Sequence, residues 1–435
     1  MEKVIAIRRE DKNKWERRAP LTPEHVREFK EKYGIKTIVQ PSQIRVFSDE
    51  EYRRAGAEIN EDISRAGAIF AIKEIPDHLF EKGKVYMFFS HTIKGQPYNM
   101  PMLKKMVDRQ CILIDYERIV NEKNQRLIFF GRFAGIAGMF ETLFAYGQKM
   151  KLSGYRTPFE RLKQPYRYNS LEEGKKEIEA VGREIEKNGL PADLSPLIAG
   201  FTGYGNVSKG AQEIFDLLPH ETISADTLLE NHASISAAKN KLFKVVFYEK
   251  DIVKAKDGIF ELQDYYRNPE KYDCIFEKYL PRLGLLINCI YWTEKYPRLV
   301  TKDYLKKDII REPGFKLKVI GDISCDIDGS IEITSKATRP DMPSFTYFPG
   351  KDSYEDSIHR DGITVMAVDN LPCEFPRESS TNFSNLLKDF AAGIATADFA
   401  APFDDIIIPE PVKRATVLHH GRFTPDYRYM EDFIK

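Results

Sequence analysis

A lysine and a histidine each stand just beyond a short apolar run, where two predicted strands end. Lys73 follows the run 68–72, and His91 follows the run 85–89 after one serine. Ligands of α/β proteins bind where the carboxyl ends of parallel strands meet, and burial there can lower the pKa of a lysine until it accepts protons. The pair therefore predicts general acid–base chemistry. Taken singly, each residue is equally compatible with a surface charge or a structural hydrogen bond.

Several arginines accompany these strands. Arg18 lies in the segment ERRAPLTP (16–23) after the first predicted strand, and Arg126 and Arg132 flank the apolar stretch 127–130. Because a guanidinium binds a carboxylate through two parallel hydrogen bonds, such a cluster indicates a substrate with more than one carboxylate. That inference requires the loops to meet, since any one arginine alone is an ordinary surface charge.

The segment GYGNVSKG (203–210) follows an apolar run and opens a predicted helix. Gly203 and Gly205 let the backbone turn tightly and approach a pyrophosphate, while a helix N-terminus offers free N–H groups. The third glycine, Gly210, falls two positions later than in the dinucleotide fingerprint. This context predicts a dinucleotide site, with a plain glycine-rich turn as the alternative.

Asp226 lies just beyond the next predicted strand, 222–225, at a distance from Gly203 that suits the acid of a dinucleotide site. A carboxylate there accepts hydrogen bonds from the adenosine ribose and repels a 2′-phosphate, which favours NAD over NADP. An ordinary loop aspartate explains the spacing equally well.

The elements that must position these residues alternate between strands and helices, which predicts an α/β fold with largely parallel sheets. Thr22 and Pro23 open a helix as its N-cap and first residue. A helix is predicted over 139–150, after the small residues of 131–138, and a long amphipathic helix over 379–401. Shorter helices are predicted at 76–79 and 99–107, and strands at 4–7, 36–40, 68–72, 85–89, 111–115, 197–201, 222–225, 285–291, 317–323 and 364–368.

Two stretches carry no recognisable chemistry. The polar residues 151–191 predict a solvated loop and an exposed helix, and residues 230–281 have no assignable pattern.

Composition excludes several classes of protein. The chain has 435 residues, with 66 Lys plus Arg and 66 Asp plus Glu, so its formal net charge is zero. That balance argues against binding to nucleic acid or to an anionic membrane. The apolar runs are too short to span a bilayer, and the chain opens as a strand and not as a signal peptide. We therefore expect a cytoplasmic globular protein of about two domains.

The five cysteines are an odd number and stand singly in apolar surroundings. No histidine or cysteine pair has the spacing of a zinc site, so no structural metal is expected. We expect reduced, buried packing residues.

Seven segments follow one another along the chain: ERRAPLTP (16–23), IKE (72–74), SHTIKGQ (90–96), DYE (115–117), GRFAGIAG (131–138), GYGNVSKG (203–210) and DNLP (369–372). Together they resemble the lysine-forming saccharopine dehydrogenases over nearly the whole chain. The likeness is greatest to the lysine–ketoglutarate reductase half of the bifunctional aminoadipic semialdehyde synthases. The wider group includes alanine dehydrogenase and the proton-translocating transhydrogenase.

The resemblance implies an oxidoreductase that joins lysine and 2-oxoglutarate as an imine and reduces it to saccharopine with a nicotinamide cofactor, or runs the reverse reaction. Lys73 would exchange the proton of the secondary amine, and His91 would serve imine hydrolysis. Glu74 and Glu117 would tune these two groups electrostatically. The other implied residues would bind substrate carboxylates (Arg18, Lys94, Arg126 and Arg132) or the cofactor (Gly203, Gly205, Asn206, Val207, Gly210, Asp226, Asp326, Asp369 and Asn370).

The family plan implies two Rossmann-like parallel-sheet domains with a cleft between them. Residues 1–138 plus 376–435 would form the substrate-binding domain, to which the chain crosses back at its C-terminal end, and residues 139–375 would bind the dinucleotide. The expected cofactor is NAD, with NADP left open. Because the sequence stops at Lys435, a separate glutamate-forming saccharopine dehydrogenase is expected as a partner.

Two alternatives stay open beside this interpretation. One is an alanine-dehydrogenase-like amino acid dehydrogenase, against which the segment 90–96 and the additional arginines count. The other is a module that binds the cofactor but has lost catalysis, although such a module has no reason to keep Lys73, His91 and Glu117 together.

Overall fold

Short apolar runs in the N-terminal part of the chain form strands that are buried on both faces, as a parallel sheet requires. The structure, a computed structural model, describes residues 3–230, 238–306 and 314–435. The first elements along the chain are β1 (Val4–Ile7), α1 (Pro23–Tyr33), β2 (Lys36–Val39), α2 (Asp49–Arg54), β3 (Glu58–Ile59), β4 (Ala68–Phe70), β5 (Val85–Phe88), α3 (Met100–Asp108) and β6 (Ile112–Asp115).

The chain divides into two units at Gly131 and Pro376. The first unit consists of Met1–Phe130 and Pro376–Lys435, and the second consists of Gly131–Phe375. The second unit contains α4 (Gly131–Leu152), α5 (Leu171–Asn188), β7 (Ile198–Thr202), α6 (Asn206–Phe215), β8 (His220–Thr222), α7 (Ala225–Leu229), β9 (Leu242–Phe247), α8 (Glu249–Ile252), β10 (Val253–Ala255), α9 (Leu262–Arg267), β11 (Tyr272–Cys274), β12 (Leu285–Asn288), α10 (Lys302–Lys306), β13 (Val319–Asp322), β14 (Ser344–Phe348), β15 (Ser353–Glu355) and β16 (Ile363–Met366).

The C-terminal part of the chain returns to the first sheet. It contributes α11 (Pro376–Thr396), α12 (Glu410–Arg414), β17 (Thr416–His419) and β18 (Arg422–Phe423). The order of strands in this sheet is β18-β17-β6-β5-β4-β1-β2-β3. The six strands from β1 to β6 are parallel, whereas β17 and β18 form an antiparallel edge.

The second sheet repeats this plan. Its order is β15-β14-β16-β13-β12-β7-β9-β8, with six parallel strands and an antiparallel edge of β14 and β15. Apolar residues are buried on both of its faces. The predicted α/β fold class with two largely parallel sheets is therefore confirmed; the antiparallel edges were not anticipated.

Several predicted elements occur with small changes. Thr22 caps α1 as expected, since its hydroxyl accepts a hydrogen bond from the N–H of His25, and Pro23 begins the helix. The long C-terminal helix begins at Pro376 and ends at Thr396. The prediction of a helix at 76–79 is replaced by a single 3₁₀ turn, Asp77–Leu79. The polar stretch 151–191 does contain a helix, but α5 buries Ile178, Val181 and Ile185, so it is amphipathic and not fully exposed.

The glycine-rich segment 131–138 lies inside a helix and not before one. A Cβ on Gly135 would come within 1.9 Å of the carbonyl oxygen of Val207, and a Cβ on Gly210 within 2.0 Å of that of Arg132. The two glycines therefore let α4 and α6 approach until their backbones touch. Close packing of the two helices explains why glycine is accepted in α4 at the usual cost in helix propensity.

The predicted strand 222–225 is wrong. β8 ends at Thr222, and Ser224 caps α7 by accepting a hydrogen bond from the N–H of Thr227 at 3.0 Å. A serine with an extended backbone whose hydroxyl accepts a hydrogen bond from the first turn is a typical helix N-cap. This cap starts α7 within the stretch that the sequence pattern assigns to a strand.

The expectation for the cysteines is confirmed in part. None of the five forms a disulfide, but only Cys111 and Cys373 are fully buried, and Cys274, Cys289 and Cys325 are partly exposed. Among the described residues, no group of three His, Cys, Asp or Glu side chains could hold a metal ion. No helix in the described ranges combines the length and apolar character that crossing a membrane would require.

Candidate active site and dinucleotide site

Four parallel strands of the first sheet end at one edge, and the segments that leave them carry most of the ionisable candidates. β4 and β5 are neighbours, and their pairing continues past both strands because the Phe89 N–H donates to the Ile72 carbonyl at 3.1 Å. Lys73 and the loop that holds His91 therefore leave the sheet side by side. The structure thus brings the two predicted proton carriers to the same edge, as the sequence indicated.

Lys73 is held by a buried glutamate that sequence reasoning missed. Glu10 accepts hydrogen bonds from the backbone N–H groups of Ile72, at 2.6 Å, and Lys73, at 3.0 Å. Burial, and then the negative charge of Glu16, raise the pKa of Glu10 to about 7. Only its position just after β1 could have signalled it, because its partners lie far along the chain.

The side chain of Lys73 is mostly buried, and this environment favours the neutral amine. Burial lowers the pKa of Lys73, and the positive charge of Arg18 lowers it further. A lysine in such a position can accept a proton more readily than one in water.

His91 is oriented by Glu74. Its Nδ1 lies 2.6 Å from Glu74 Oε1, while Glu74 Oε2 accepts a hydrogen bond from Lys12 at 2.8 Å. Burial opposes ionisation of this carboxyl, but the hydrogen bonds from His91 and Lys12 keep the pKa of Glu74 well below its usual value. An ionised carboxylate only accepts, so Nδ1 carries a proton and Nε2 is the atom left to exchange one.

The loop that carries His91 is fixed by buried polar contacts. His91 has a positive φ of 48°, and Asn99 Nδ2 donates to the carbonyls of Ser90 and His91 at 3.0 and 3.1 Å. Ser90 Oγ donates to Asp115 Oδ2 at 2.5 Å, at the end of β6. Burial raises the pKa of Asp115 to about 6. Neither Asn99 nor Asp115 was predicted as a site residue, although Asp115 lies within the DYE motif.

Two of the predicted carboxylate-binding cations of the first unit already contact carboxylates. Arg18 donates through two nitrogens to buried Glu16, at 2.6 and 2.7 Å, and lies over the ring of Phe130. Arg126 pairs with Glu117 and is half exposed. Lys94 lies on the exposed part of the loop after β5.

Arg132, by contrast, belongs to the second unit. Its guanidinium donates to both oxygens of Glu213 at 2.7 and 2.8 Å, and Lys175 donates to the same carboxylate. The prediction grouped Arg132 with the cations near Lys73, but its contacts explain it as part of an ion-pair cluster on α4, α5 and α6.

In the second unit the glycine loop has the form that a dinucleotide phosphate needs. Gly203 has a φ of 80°, where side chains are strained, and a Cβ on Gly205 would meet no described atom within 4 Å. Gly205 is the N-cap of α6 and has no side chain to occupy its first amides. Gly205 and Asn206 are exposed and Val207 is partly exposed. An exposed helix N-terminus of this kind is typical of phosphate-binding loops. Gly210 instead serves helix packing.

Asp226 does not lie at the end of the strand beside β7. It is in the first turn of α7, and the strand before it, β8, pairs with β9 and not with β7. β8 is the edge strand of this sheet, and β9 lies between it and β7.

The remaining cofactor candidates follow two neighbouring strands. Asp326 comes after β13 and Asp369 after β16, and both are exposed. Burial, followed by negative charges that include these two aspartates, raises the pKa of the Cys325 thiol between them. Asn370 is buried beside Asp369. The structure thus brings Asp326, Asp369 and Asn370 to one edge of the second sheet.

A buried polar network at the same edge was missed. Thr202 donates to Asn288, which donates to Asp322 at 2.8 Å, and Asp322 also accepts from Thr334 at 2.6 Å. Burial raises the pKa of Asp322 to about 6. These residues terminate β7, β12 and β13 and fix the strand ends below the glycine loop.

Comparison with known proteins identifies the N-terminal segment. Residues 6–137 match the family described as alanine dehydrogenase/PNT, N-terminal domain. In fold, the whole chain is similar to a solved L-alanine dehydrogenase, with a TM-score of 0.63 and 15% identity over 99% of this chain and 100% of that one.

The wider resemblance is confirmed as well. The chain is 39% identical, over 98% of its length, to alpha-aminoadipic semialdehyde synthase of Arabidopsis thaliana, and 34% identical to the mitochondrial alpha-aminoadipic semialdehyde synthase of Mus musculus. It spans 41% and 47% of those two proteins, about half their length. It is 26% identical to an NAD(+)-dependent, L-lysine-forming saccharopine dehydrogenase of Neurospora crassa, over 88% of each chain.

Proposed function

We propose that this protein is an oxidoreductase that interconverts L-lysine, 2-oxoglutarate and a reduced nicotinamide cofactor with saccharopine and the oxidised cofactor. The observation that carries the proposal is the pairing of Lys73 with a Glu74-held His91 at neighbouring strand ends. The names of the relatives that match nearly the whole chain supply the substrate class. The first unit would bind the substrates, and the second would bind the cofactor.

Lys73 and His91 divide the proton transfers of this reaction. Formation of the imine from lysine and 2-oxoglutarate releases water, and saccharopine gains a secondary amine. Lys73, with its lowered pKa, would take or give the proton on that amine. His91 would move protons at Nε2 as water adds to or leaves the carbon, because Nδ1 is committed to Glu74.

Carboxylate binding falls to the cations near these groups. Saccharopine has three carboxylates, and we propose Arg18, Lys94 and Arg126 as their partners in the first unit. Arg126 is half exposed, so it can bind a substrate carboxylate while Glu117 holds its other side. Arg18 and Arg132 are the weaker members of the proposed group, because Glu16 and Glu213 already occupy their guanidinium groups through two hydrogen bonds each.

The second unit would hold the cofactor through Gly203, Gly205, Asn206 and Val207 at the phosphates, with Asp326, Asp369 and Asn370 farther along the same sheet edge. The bound cofactor supplies or accepts a hydride. We propose NAD in preference to NADP. A preference for NAD requires an acidic side chain beside the adenosine ribose.

Two further proposals concern the setting of the reaction. A glutamate-forming saccharopine dehydrogenase is the proposed partner, since it would consume the product. A cytoplasmic location is proposed for this chain, and cell fractionation with an antibody would distinguish it from the mitochondrial location in the name of the mouse relative.

The reaction is tested by following the absorbance of the reduced cofactor with purified protein, lysine and 2-oxoglutarate. We expect oxidation of NADH that requires both substrates, and saccharopine as the product in mass spectrometry. Omission of lysine is the control. Turnover with pyruvate and ammonia instead would favour the alanine-dehydrogenase-like alternative, and cofactor binding without any turnover would favour the module that has lost catalysis.

A further inference from the structure

The glycine strand β7 lies between β12 and β9, and β9 is the neighbour that follows it sooner along the chain, so β9 decides which acid can reach a bound adenosine. β9 pairs with β7 in parallel, with Phe247 opposite Thr202. The Gly203 N–H then donates to the Phe247 carbonyl at 3.3 Å, so the end of β9 is tied to the glycine loop. In dinucleotide-binding sheets the ribose lies over the end of the strand that neighbours the glycine strand. The residues just after Phe247 therefore occupy the ribose position.

Glu249 is the acid that touches the glycine loop. Its Oε1 accepts hydrogen bonds from the hydroxyl of Tyr204, at 3.3 Å, and from that of Tyr266, at 2.5 Å. Tyr204 stands between Gly203 and Gly205, so this contact fixes the carboxylate beside the phosphate cradle. Glu249 is only partly buried, and none of the described residues donates a hydrogen bond to Oε2. One oxygen is thus held in place, while the other is not among the buried, unpartnered polar atoms of the described residues.

Two exposed rings flank the same carboxylate. Tyr204 is 41% exposed and Tyr248 is 46% exposed, and their ring centroids are 5.1 Å apart. Large aromatic rings left in solvent next to a carboxylate offer a surface on which a flat, weakly polar base can stack. This combination suits an adenosine, whose base needs a stacking surface and whose ribose needs an acceptor.

The other acids nearby are less suitable. Asp226 follows β8, the edge strand, which β9 separates from β7. Asp251 is engaged at the start of α8, since its Oδ2 accepts a hydrogen bond from the N–H of Tyr248 at 2.9 Å. Lys250 is the cation that stands next to Glu249 and is exposed, so it is the residue that would attract a 2′-phosphate if the site preferred NADP.

We propose that Glu249 is the residue that accepts hydrogen bonds from the adenosine ribose hydroxyls and that its charge selects NAD over NADP. The proposal rests on the cofactor half of the proposed function and reassigns the role that sequence spacing gave to Asp226. Tyr266 and Tyr204 position the carboxylate by binding Oε1, which leaves Oε2 for the ribose.

Dinucleotide binding tests this assignment without any turnover. Affinities for NADH and NADPH are measured by cofactor fluorescence and calorimetry on the full chain, with the variants Glu249→Gln and Asp226→Asn as a matched pair. We expect Glu249→Gln to lower the preference for NADH over NADPH by about tenfold or more, the scale of a hydrogen bond to a charged group. Asp226→Asn should leave that preference unchanged. Thermal unfolding of both variants checks that each is folded.

Two results would overturn the assignment. One is a preference for NADH over NADPH that changes in Asp226→Asn but not in Glu249→Gln. The other is a native preference for NADPH that Lys250→Ala abolishes. The failure of the reaction gives a different pattern. If the native chain binds NADH with a Glu249-dependent preference but does not oxidise it with lysine and 2-oxoglutarate, the proposed substrates are wrong and the role of Glu249 stands. If the native chain binds neither dinucleotide, the cofactor site and the role of Glu249 fall together.

Discussion

The two sheets of this protein have the same plan, six parallel strands and an antiparallel edge pair, but their carboxyl edges are equipped differently. The first presents ionisable side chains, among them Glu10, Lys73 and His91. The second presents a glycine loop whose first helical amides have no side-chain cap. Proton transfer needs side chains whose pKa the surroundings can shift, whereas holding a pyrophosphate needs bare backbone. One architecture thus serves two chemistries, because the segments that leave the strands differ between the two sheets.

The largest expected effect is at the charged edge. Replacing Lys73 by methionine keeps the length of the side chain but removes its proton, so we expect turnover to fall by about 10²–10⁴-fold. Binding of NADH, which we propose for the other unit, should be unchanged. The exposed Lys82, changed to methionine, is the matched control and should keep full activity. Equal losses in both variants would remove Lys73 from the mechanism.

The glycine edge gives the converse experiment. A valine at Gly205 would fill the open space in front of α6, so we expect dinucleotide affinity to fall by about a hundredfold, or roughly 3 kcal/mol, with little change in thermal stability. Alanine at Gly210 would instead strike the Arg132 carbonyl and cost about 1–3 kcal/mol of stability. Calorimetric binding and thermal unfolding of both variants separate the two roles. If Gly205→Val binds NADH normally, the loop is not a phosphate cradle.

The sequence allowed part of this difference to be predicted. Lys73, His91 and the glycine loop each come directly after an apolar run, so local pattern sufficed to put them at strand ends. Glu10 could not be found in this way, because its hydrogen-bond partners lie 62 and 63 residues away.

Which acid lies beside the glycine loop also could not be predicted from local sequence. Spacing pointed to Asp226, but which strand lies next to β7 is decided by how the whole sheet packs and not by neighbouring residues. The chain makes β8 before β9, yet β9 takes the inner position. Spacing along the chain therefore selected an acid that follows the edge strand β8, and it could not show that β9 lies between β8 and β7.

The smallest of the predicted effects is on the pH dependence of stability, and it comes from a buried aspartate that each sheet has at a strand end. Asp115 and Asp322 are buried at strand ends, and burial raises the pKa of each from 3.8 to about 6. The folded protein therefore binds these protons more tightly than the unfolded chain, so the stability that these two carboxyls contribute is fully present below about pH 4 and is lost as the pH rises through about 6. Each carboxyl accounts for about 3 kcal/mol of that loss.

Denaturant unfolding at several pH values measures this contribution. Asp115→Asn and Asp322→Asn should each flatten the fall in stability between about pH 4 and pH 6, and by similar amounts if the two strand ends are equivalent. Asp77→Asn, at an exposed site, serves as the control. An unchanged pH slope in one variant alone would show that the two sheets differ here as well.

The return of the chain to the first sheet has a consequence for biosynthesis. β17 pairs with β6, and the Asp115 N–H donates to the Ala415 carbonyl at 3.0 Å, although the whole second unit separates them along the chain. As the polypeptide leaves the ribosome, the second unit has all its strands once Met366 has emerged. The first sheet still has β6 as an open edge then, able to pair with another nascent chain. The first sheet, whose strand ends carry the ionisable groups, is therefore completed last. Until then its open strand β6 is the place where misassembly during translation is expected.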